Sequence, residues 1–338
     1  MKFSIVALGA SLSTTALAFP GMTGGSDDMM NFHKSLIKRA QLGGPHMRRD
    51  GTPDLPALNN VTSTGTGQQI KDCLYGTISC EAAPQKTYVA PALGSKECDS
   101  DKCCIWDYVV KDLVTMFTLP NGQCSELARQ AIRLGFHDAG AWSINSGFGG
   151  ADGSMLISDE VSRPENKGLE SIVASGKSLL AKWNVSAADL VQLMANVATV
   201  ICPLGPRVLT FIGRPDSADS PTDLLPGPFS DATTLINLFQ DKTISSDELV
   251  ALVGAHSTSH QDFVDPSNAG SFQDTTPGVW DTLFYSETAN NAFSVSDVTK
   301  FPSDIALSKD ARTSGVWGAM TNQRTWNAAC TSYLSICF

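Results

Sequence analysis

The sequence has no surplus of basic residues, and this absence excludes two classes of partner. Its 338 residues contain 34 Asp and Glu against 24 Lys and Arg, which gives a formal net charge of −10. Because nucleic acids and anionic lipid headgroups are themselves negative, an acidic surface repels both. We therefore expect neither nucleic acid nor a membrane as a partner.

The sequence also lacks any apolar run long enough to span a bilayer. Residues 1–18 contain the basic Lys2, a short apolar run over 5–12 and a small-residue ending at Ala18. This pattern is typical of a secretory signal peptide that is removed before Phe19. We therefore predict a secreted, extracellular protein that is soluble and monomeric.

Internal repeats are absent, and strand-like alternation is scarce. Residues 19–97 are rich in Gly, Pro, Ser and Thr without a sustained period, so we interpret them as a propeptide or flexible extension. Dibasic pairs at 38–39 and 48–49 offer cleavage sites, although such pairs are common by chance. Beyond them, apolar residues recur at helical spacing. The predicted helices are 104–118, 125–138, 165–183, 187–200, 231–240, 246–256, 279–290 and 312–333.

Polar residues mark where two of these helices begin. Ser186 with Asp189, and Ser245 with Glu248, have the three-residue spacing of a capping box. A proline-rich stretch at 213–230 separates the earlier helices from the later ones and could divide two lobes, 98–225 and 226–338. The sequence thus predicts an all-α protein with long loops.

Nine cysteines in an exported chain indicate disulfides more than metal ligands. Their odd number leaves one thiol free or paired outside the chain, and Cys73 with Cys80 could close a small local loop. The sequences that begin at Asn60 and Asn184 are glycosylation acceptors, which is meaningful only in an exported chain.

One predicted helix carries an unusual pair of polar residues. Arg133 and His137 are four residues apart and therefore share a helix face. Their neighbours Leu134 and Phe136 are apolar, and a buried charge requires a partner. Glu126 and Gln130 extend the same face, so it is either a solvated polar stripe or a reaction centre.

Two further patterns are ambiguous when taken alone. His256, after an apolar helix, is a core residue, a partner for the helix dipole or an axial ligand of iron. Asp138 with residues 150–154, and residues 274–281, supply carboxylates, hydroxyls and carbonyls of the kind that calcium prefers. The same residue types also build turns.

Taken together in order, these motifs resemble those of the secreted fungal haem peroxidases, the class II group of the plant, fungal and bacterial peroxidase superfamily. The resemblance covers about residues 98–335. The motifs that carry it are Arg133-x-x-Phe136-His137-Asp138, Gly150-Ala151-Asp152-Gly153-Ser154, Arg163-Pro164-Glu165-Asn166, Gly254-Ala255-His256-Ser257, Asp274-Thr275-Thr276-Pro277-Gly278-Val279-Trp280-Asp281 and Pro302-Ser303-Asp304.

The resemblance implies a two-lobed, all-α fold with haem b between a distal and a proximal lobe. It implies reduction of hydrogen peroxide to water and one-electron oxidation of phenols or other small aromatic donors. His137 would transfer the proton of peroxide, Asn166 would set its tautomer, and Glu160 would orient Asn166. Arg133 would stabilise the developing charge, and Phe136 would pack over the haem.

The resemblance also implies a proximal side and two calcium ions. His256 would be the fifth iron ligand, and Asp304 would accept its second N–H. The ligands implied for the distal calcium are Asp138, Gly150, Asp152 and Ser154. Those implied for the proximal calcium are Ser257, Asp274, Thr276, Val279 and Asp281.

Departures from the family pattern concern the electron donor. Manganese-oxidising members gather three carboxylates, of which Glu126 and Asp262 match two while Gln130 replaces the third. This predicts weaker manganese binding. Lignin-oxidising members have a surface Trp five residues before the proximal His, where this chain has Ala251. Trp142 or Trp280 could substitute, although a packing role explains either one better.

By the same resemblance we expect a disulfide between Cys124 and Cys202. Cys103 and Cys104 resemble an N-terminal pair of the family, one of which reaches back to a nearby cysteine, for which Cys98 is the candidate. The usual distant partner is replaced by Gly315, so Cys103 could use Cys330 or Cys337 instead.

Two rival functions remain at this point. A non-catalytic, secreted haem- or calcium-binding protein would normally have lost one of the residues Arg133, His137, Asn166 and Asp304. A metal-dependent hydrolase that uses His137 and Asp138 leaves the proximal motifs without a role.

Overall fold

The structure is a computed structural model that describes residues 65–74, 77–78, 88–290 and 298–337. The predicted signal peptide, both dibasic pairs, Asn60 and Cys80 lie outside these residues. In the described part the chain is mostly helical, which confirms the predicted fold class. The sheet found among these residues is an antiparallel pair, β1 (His260–Gln261) and β2 (Ser271–Phe272), with His260 opposite Phe272.

The described α-helices, in chain order, are α1 (Thr66–Leu74), α2 (Lys96–Ser100), α3 (Cys104–Phe117), α4 (Glu126–Gly140), α5 (Ser154–Ile157), α6 (Glu170–Trp183), α7 (Ala187–Ile201), α8 (Ala232–Gln240), α9 (Ser246–Val253), α10 (Leu283–Ala289), α11 (Pro302–Lys309), α12 (Ser314–Ala319) and α13 (Gln323–Cys337). Short 3-10 turns cover Glu160–Ser162, Pro164–Asn166, Gly254–Thr258 and Pro266–Asn268.

The helices pack in two groups. In the first group, α4 lies against α7, and α3 and α6 flank them. Because the apolar residues of α4 and α7 recur at helical spacing, each helix buries a continuous face against the other. In the second group α9 packs on α13, and α11 on α10 and α12. Helix α4 also contacts the turn Gly254–Thr258, so the two predicted site segments meet between the groups.

The two predicted capping boxes have different outcomes. At α9, Ser245 and Glu248 form the reciprocal box, as predicted. At α7, Ser186 Oγ accepts from Asp189 N at 3.2 Å, but the Asp189 carboxylate accepts from Gly213 N at 2.6 Å instead of returning to the cap. The second half of that predicted box is therefore wrong, since the carboxylate holds the following loop.

Two corrections concern the C-terminal half. The predicted helix over 312–333 is two helices, because the Asn322 side chain accepts from the Arg324 and Thr325 amides, both at 3.1 Å, and so starts α13 as a new helix. Helix α11 lies between the predicted helices 279–290 and 312–333, where the apolar pattern predicted no helix. Pro302 at its first turn is a signal for a helix start that the apolar pattern did not reveal.

Part of the predicted extension is helical, which its residue pattern did not predict. Helix α1 packs against α13, and Cys73 on α1 is disulfide-bonded to a residue whose side chain is not described. The bridges Cys124–Cys202 and Cys98–Cys104 agree with the predictions. Cys103 is a free, exposed thiol and Cys330 a free, buried one. Neither of the alternative partners predicted for Cys103, Cys330 or Cys337, is therefore correct.

In the part of the chain that the structure covers, no helix is both long and apolar enough to cross a membrane.

Asn184, in the second glycosylation acceptor, ends α6 in the left-handed conformation with φ of 49° and is exposed.

Candidate active site

The polar face of α4 changes character along its length. Ser125 caps the helix by accepting from Ala128 N at 3.2 Å, Glu126 in the first turn is exposed, and Gln130 is half-buried. At the other end, His137 is only 9% exposed. The stripe is therefore solvated at its start and buried at its end, where Arg133 and His137 meet.

His137 has a defined hydrogen bond at each ring nitrogen. Its Nδ1 lies 2.6 Å from Asn166 Oδ1, and its Nε2 lies 3.2 Å from Arg133 Nε. Arg133 Nε–H can only donate. His137 Nε2 therefore carries a lone pair, and Nδ1 carries the hydrogen that is donated to Asn166.

The amide of Asn166 is itself held in one orientation. Its Nδ2 donates to the backbone carbonyl of Glu160 at 2.7 Å, which turns Oδ1 toward His137. The Glu160 carboxylate faces elsewhere and accepts from Ser154 Oγ and Ser220 Oγ, both at 2.6 Å. Glu160 thus orients Asn166 through its main chain, while its side chain joins the loop of Ser154 to the same network.

Burial sets the charge states of the Arg133–His137 pair. Burial, with the nearby Arg133 cation adding to it, lowers the pKa of His137 to about 3, so the imidazole is neutral near pH 7. Burial likewise lowers the pKa of Arg133 to about 10, which leaves it charged at that pH. The backbone carbonyls of Lys167 and Glu165 hold its guanidinium at 2.7 and 2.9 Å.

His256 lies in the 3-10 turn Gly254–Thr258, which contacts α4. Its Nδ1 is 3.0 Å from Asp304 Oδ2, whereas its Nε2 has no hydrogen-bond partner within the described residues. Phe284 and Phe301 lie edge-on to the imidazole, with ring centroids at 5.6 and 5.7 Å. A third of the His256 side chain is exposed, although the surrounding turn is buried.

Gln273 lies beside His256 and Asp304, and this position was not predicted from the sequence. Its Nε2 lies 3.3 Å from Asp304 Oδ2, and its Oε1 accepts from the Ser259 hydroxyl. The only signal in the sequence was its position directly before the oxygen-rich loop that starts at Asp274. Gln273 holds the same carboxylate that binds His256.

The space between the two histidines has the features of a haem site. Phe136 stacks on Phe239 at 6.1 Å and meets His137 edge-on, which provides an apolar wall. His256 is close enough to lower the pKa of His137 further. Nε2 of His256, which has no hydrogen-bond partner among the described residues, is an atom that can bind iron, so these residues fit haem.

The first oxygen-rich loop brings its predicted ligands together. Asp138 accepts from Gly153 N at 3.1 Å and from Met155 N at 3.3 Å. Burial, with Asp152 nearby, raises the pKa of Asp138 to about 7. Asp152 Oδ2 is buried without a hydrogen-bond partner among the described residues. An oxygen left in that state fits a bound cation.

The second loop has the same signature. Asp274 accepts from Thr276 N at 2.9 Å, and Thr276 Oγ1 donates to Asp281 at 2.8 Å. Asp274 Oδ2 and the hydroxyl of Ser257 are buried and lack partners in the described structure. Burial raises the pKa of Asp274 to about 8. These oxygens fit calcium, which accepts hydroxyls and carbonyls beside two carboxylates.

The predicted manganese-binding face is only partly assembled. Gln130 Nε2 donates to Glu126 Oε1 at 3.1 Å, so the amide occupies the neighbouring position on the helix. Asp262 pairs with His260 at 3.1 Å. Within the described residues, no group of three or more His, Cys, Asp or Glu side chains is arranged to hold a metal ion.

A mostly helical fold with a distal Arg–His pair and a proximal His–Asp pair defines the class of helical haem proteins that react with peroxide. Comparison with known proteins is more specific. Residues 109–323 match the peroxidase family. A versatile peroxidase, VPS1, of Pleurotus eryngii is 35% identical over 246 residues, which cover 66% of each chain.

Other relatives agree. A peroxidase of Arthromyces ramosus is 32% identical over 252 residues, 68% of this chain and 69% of that one. Ligninase LG5 of Phanerodontia chrysosporium is 33% identical over 247 residues, 66% of each. The match thus spans about two thirds of the length of these relatives. The chain belongs to the class II fungal haem peroxidase family, oxidoreductases that use a peroxide as electron acceptor.

Proposed function

We propose that this protein is a secreted haem peroxidase that binds haem b between His137 and His256, reduces hydrogen peroxide to water and oxidises small aromatic donors by single electrons. The observation that supports this most is the lone pair on His137 Nε2, which faces the Arg133 guanidinium at 3.2 Å. That pairing puts a base and a cation at one point, as cleavage of an O–O bond requires.

Haem, when bound, would supply the iron that accepts the peroxide and the electrons that reduce it. His137 Nε2 would take a proton from one oxygen of hydrogen peroxide and return it to the other, which leaves as water. Arg133 stabilises the negative charge on that departing oxygen. Because the pKa of His137 is low, the imidazole is neutral before the first transfer and gives the proton up readily in the second.

On the proximal side, His256 would hold the iron through Nε2. Asp304 accepts the Nδ1 hydrogen of His256, and this increases the basicity of the imidazole toward a metal. Gln273 keeps the Asp304 carboxylate in place. Phe136 would pack over the macrocycle on the distal face.

We further propose two structural calcium ions, one at each oxygen-rich loop. Asp138 directly follows His137, and Ser257 directly follows His256, so each ion would adjoin one haem-side histidine. The unpaired oxygens of Asp152, Asp274 and Ser257 support this assignment. Calcium would offset the cost of burying these carboxylates.

Phenols or other small aromatics are the proposed donors, and manganese is a weaker candidate. One relative is a manganese peroxidase of Phlebia radiata, but here an amide replaces the third carboxylate. A neutral amide attracts a divalent cation less than a carboxylate does.

The absorption spectrum of the purified protein, before and after one equivalent of hydrogen peroxide, tests the proposal. We expect a Soret band that shifts on addition of peroxide and returns when a phenol is added. Absence of the band would exclude haem. A band that does not respond to peroxide would favour a non-catalytic haem-binding protein.

A further inference from the structure

A continuous series of aromatic rings leads away from His256 on the proximal side. Phe284 lies 5.6 Å from His256, Tyr285 lies 5.4 Å from Phe284, and Trp326 lies 5.7 Å from Tyr285, measured between ring centroids. The series ends where Trp326 stacks on Trp280 at 4.8 Å, with the planes 3° apart. Both indoles are buried, with 0% and 1% exposure.

The backbone beside His256 touches the same rings. A Cβ atom on Gly254 would lie 2.3 Å from Tyr285 Oη and 2.6 Å from Trp326 Nε1, so only glycine allows this approach. Trp326 Nε1 also donates to the carbonyl of Ala251 at 2.9 Å. Trp326 is therefore in contact with the segment that carries His256, two residues beyond Gly254.

Oxidation of Tyr285 is disfavoured by its hydrogen bond. A phenol gives up its proton when it loses an electron, and Tyr285 Oη donates to the carbonyl of Val250, which is a very weak base. An indole can lose an electron and keep its N–H. The positive charge on Trp326 would then face the carbonyl of Ala251 in the last turn of α9, the negative end of the helix dipole.

Stacking favours the Trp pair over a single indole. In parallel rings 4.8 Å apart, the charge left by one lost electron is shared between two π-systems. Trp317, which lies 5.1 Å from Tyr285, has no stacked partner, and its Nε1 donates to the Tyr285 carbonyl. The Trp280–Trp326 pair is therefore the position in this cluster that gives up an electron most readily.

We propose that Trp280 and Trp326 form an internal electron donor to the haem site. This inference rests on the proposed function. Reduction of one hydrogen peroxide to two waters consumes two electrons and two protons. The bound haem would supply both electrons, as proposed above, and the Trp pair would return one of them to the haem site. The two protons would come from solvent, because none leaves the indoles. An outside aromatic donor later returns one electron to the pair.

Electron paramagnetic resonance of the haem-loaded protein, frozen after one equivalent of hydrogen peroxide without any donor, tests this. We expect a tryptophanyl radical whose lines narrow when the protein contains ring-deuterated Trp. The signal should be lost in Trp280→Phe and in Trp326→Phe. It should persist in the matched control Trp183→Phe, whose indole on α6 bonds to Asp112 away from this cluster.

A radical that is unchanged in both variants, or one that narrows with ring-deuterated Tyr, would overturn the inference. If Trp326→Phe folds poorly, as its Soret band and circular dichroism would reveal, Trp280→Phe decides, because Trp280 Nε1 has no hydrogen-bond partner in the described structure. A wild-type protein without a responsive Soret band would instead overturn the proposed function, and the two failures are thus distinguishable.

Discussion

The Nδ1 atom of His137 lies 2.6 Å from Oδ1 of Asn166, and this hydrogen bond sets the tautomer of the imidazole. The Glu160 carbonyl fixes the Asn166 amide in turn, because it can only accept from Nδ2. The lone pair is thereby kept on Nε2, where Arg133 and a bound peroxide would meet it.

Removal of the imidazole should therefore cost most of the reaction with peroxide. We expect His137→Ala to slow this step by about 100- to 10,000-fold, the usual contribution of a general base. The rate of the Soret change after mixing with peroxide measures it. His260→Gln removes a histidine paired only with Asp262 and should leave the rate unchanged. An equal loss in both variants would contradict the role of His137.

Asn166→Asp should change the pH profile more than the fold. A carboxylate beside Nδ1 favours the protonated imidazole and raises the pKa of His137. The pH below which the reaction with peroxide slows should therefore rise in Asn166→Asp. Asn166→Ala should lower the rate of the reaction without raising that pH. A profile that does not move in Asn166→Asp would show that residue 166 does not control the tautomer.

Stability should also depend on His137. Its pKa is about 3 in the folded protein and about 6.5 in an unfolded chain. Between these values the unfolded state binds more protons, so the free energy of unfolding falls as pH decreases from about 6.5 toward 3. Urea titrations across this range measure the slope. His137→Leu, which has no proton to bind, should reduce it.

Calcium removal should destabilise the protein more at high pH. Without a cation, burial raises the pKa of Asp138 to about 7 and that of Asp274 to about 8. The contribution of these two carboxyl groups to the free energy of unfolding is fully present below their unfolded pKa, near 4. It is lost as the pH rises through 7 to 8. The fall in Tm caused by a calcium chelator should thus be larger at pH 8 than at pH 5. An equal fall at both pH values would argue against cation sites at these carboxylates.

Gln130→Glu should strengthen manganese binding. The substitution replaces an amide that donates to Glu126 with a second carboxylate at the same position on α4. The affinity of the protein for Mn²⁺ is measured by the loss of the electron paramagnetic resonance signal of free Mn²⁺ during a titration. The double variant Glu126→Gln with Gln130→Glu keeps the wild-type number of carboxylates and should bind no better than wild type. Tight binding by the unmodified protein would refute our interpretation of this face.

Helices with strong apolar periods were predictable, whereas α11 was not. Helices α3 and α4 each bury one continuous face, and that requirement leaves a clear pattern in their residues. Helix α7 is apolar and buried around most of its circumference. Helix α11 is short and lacks such a face, so its start at Pro302 was overlooked. Resemblance to a family identified Asp304, but the helix that carries it toward His256 became visible only in the structure.

Local patterns were enough to establish a mostly helical chain, the face shared by Arg133 and His137, and the carboxylates of the two loops, because spacing along a helix or turn depends only on near neighbours. Contacts between distant segments depended on how the helices pack. Among these are the hydrogen bond between His137 and Asn166, the position of Gln273, the unpaired oxygens of Asp152 and Asp274, and the stacking of Trp280 on Trp326. They depend on packing because the residues involved are far apart in sequence and meet only when the core closes.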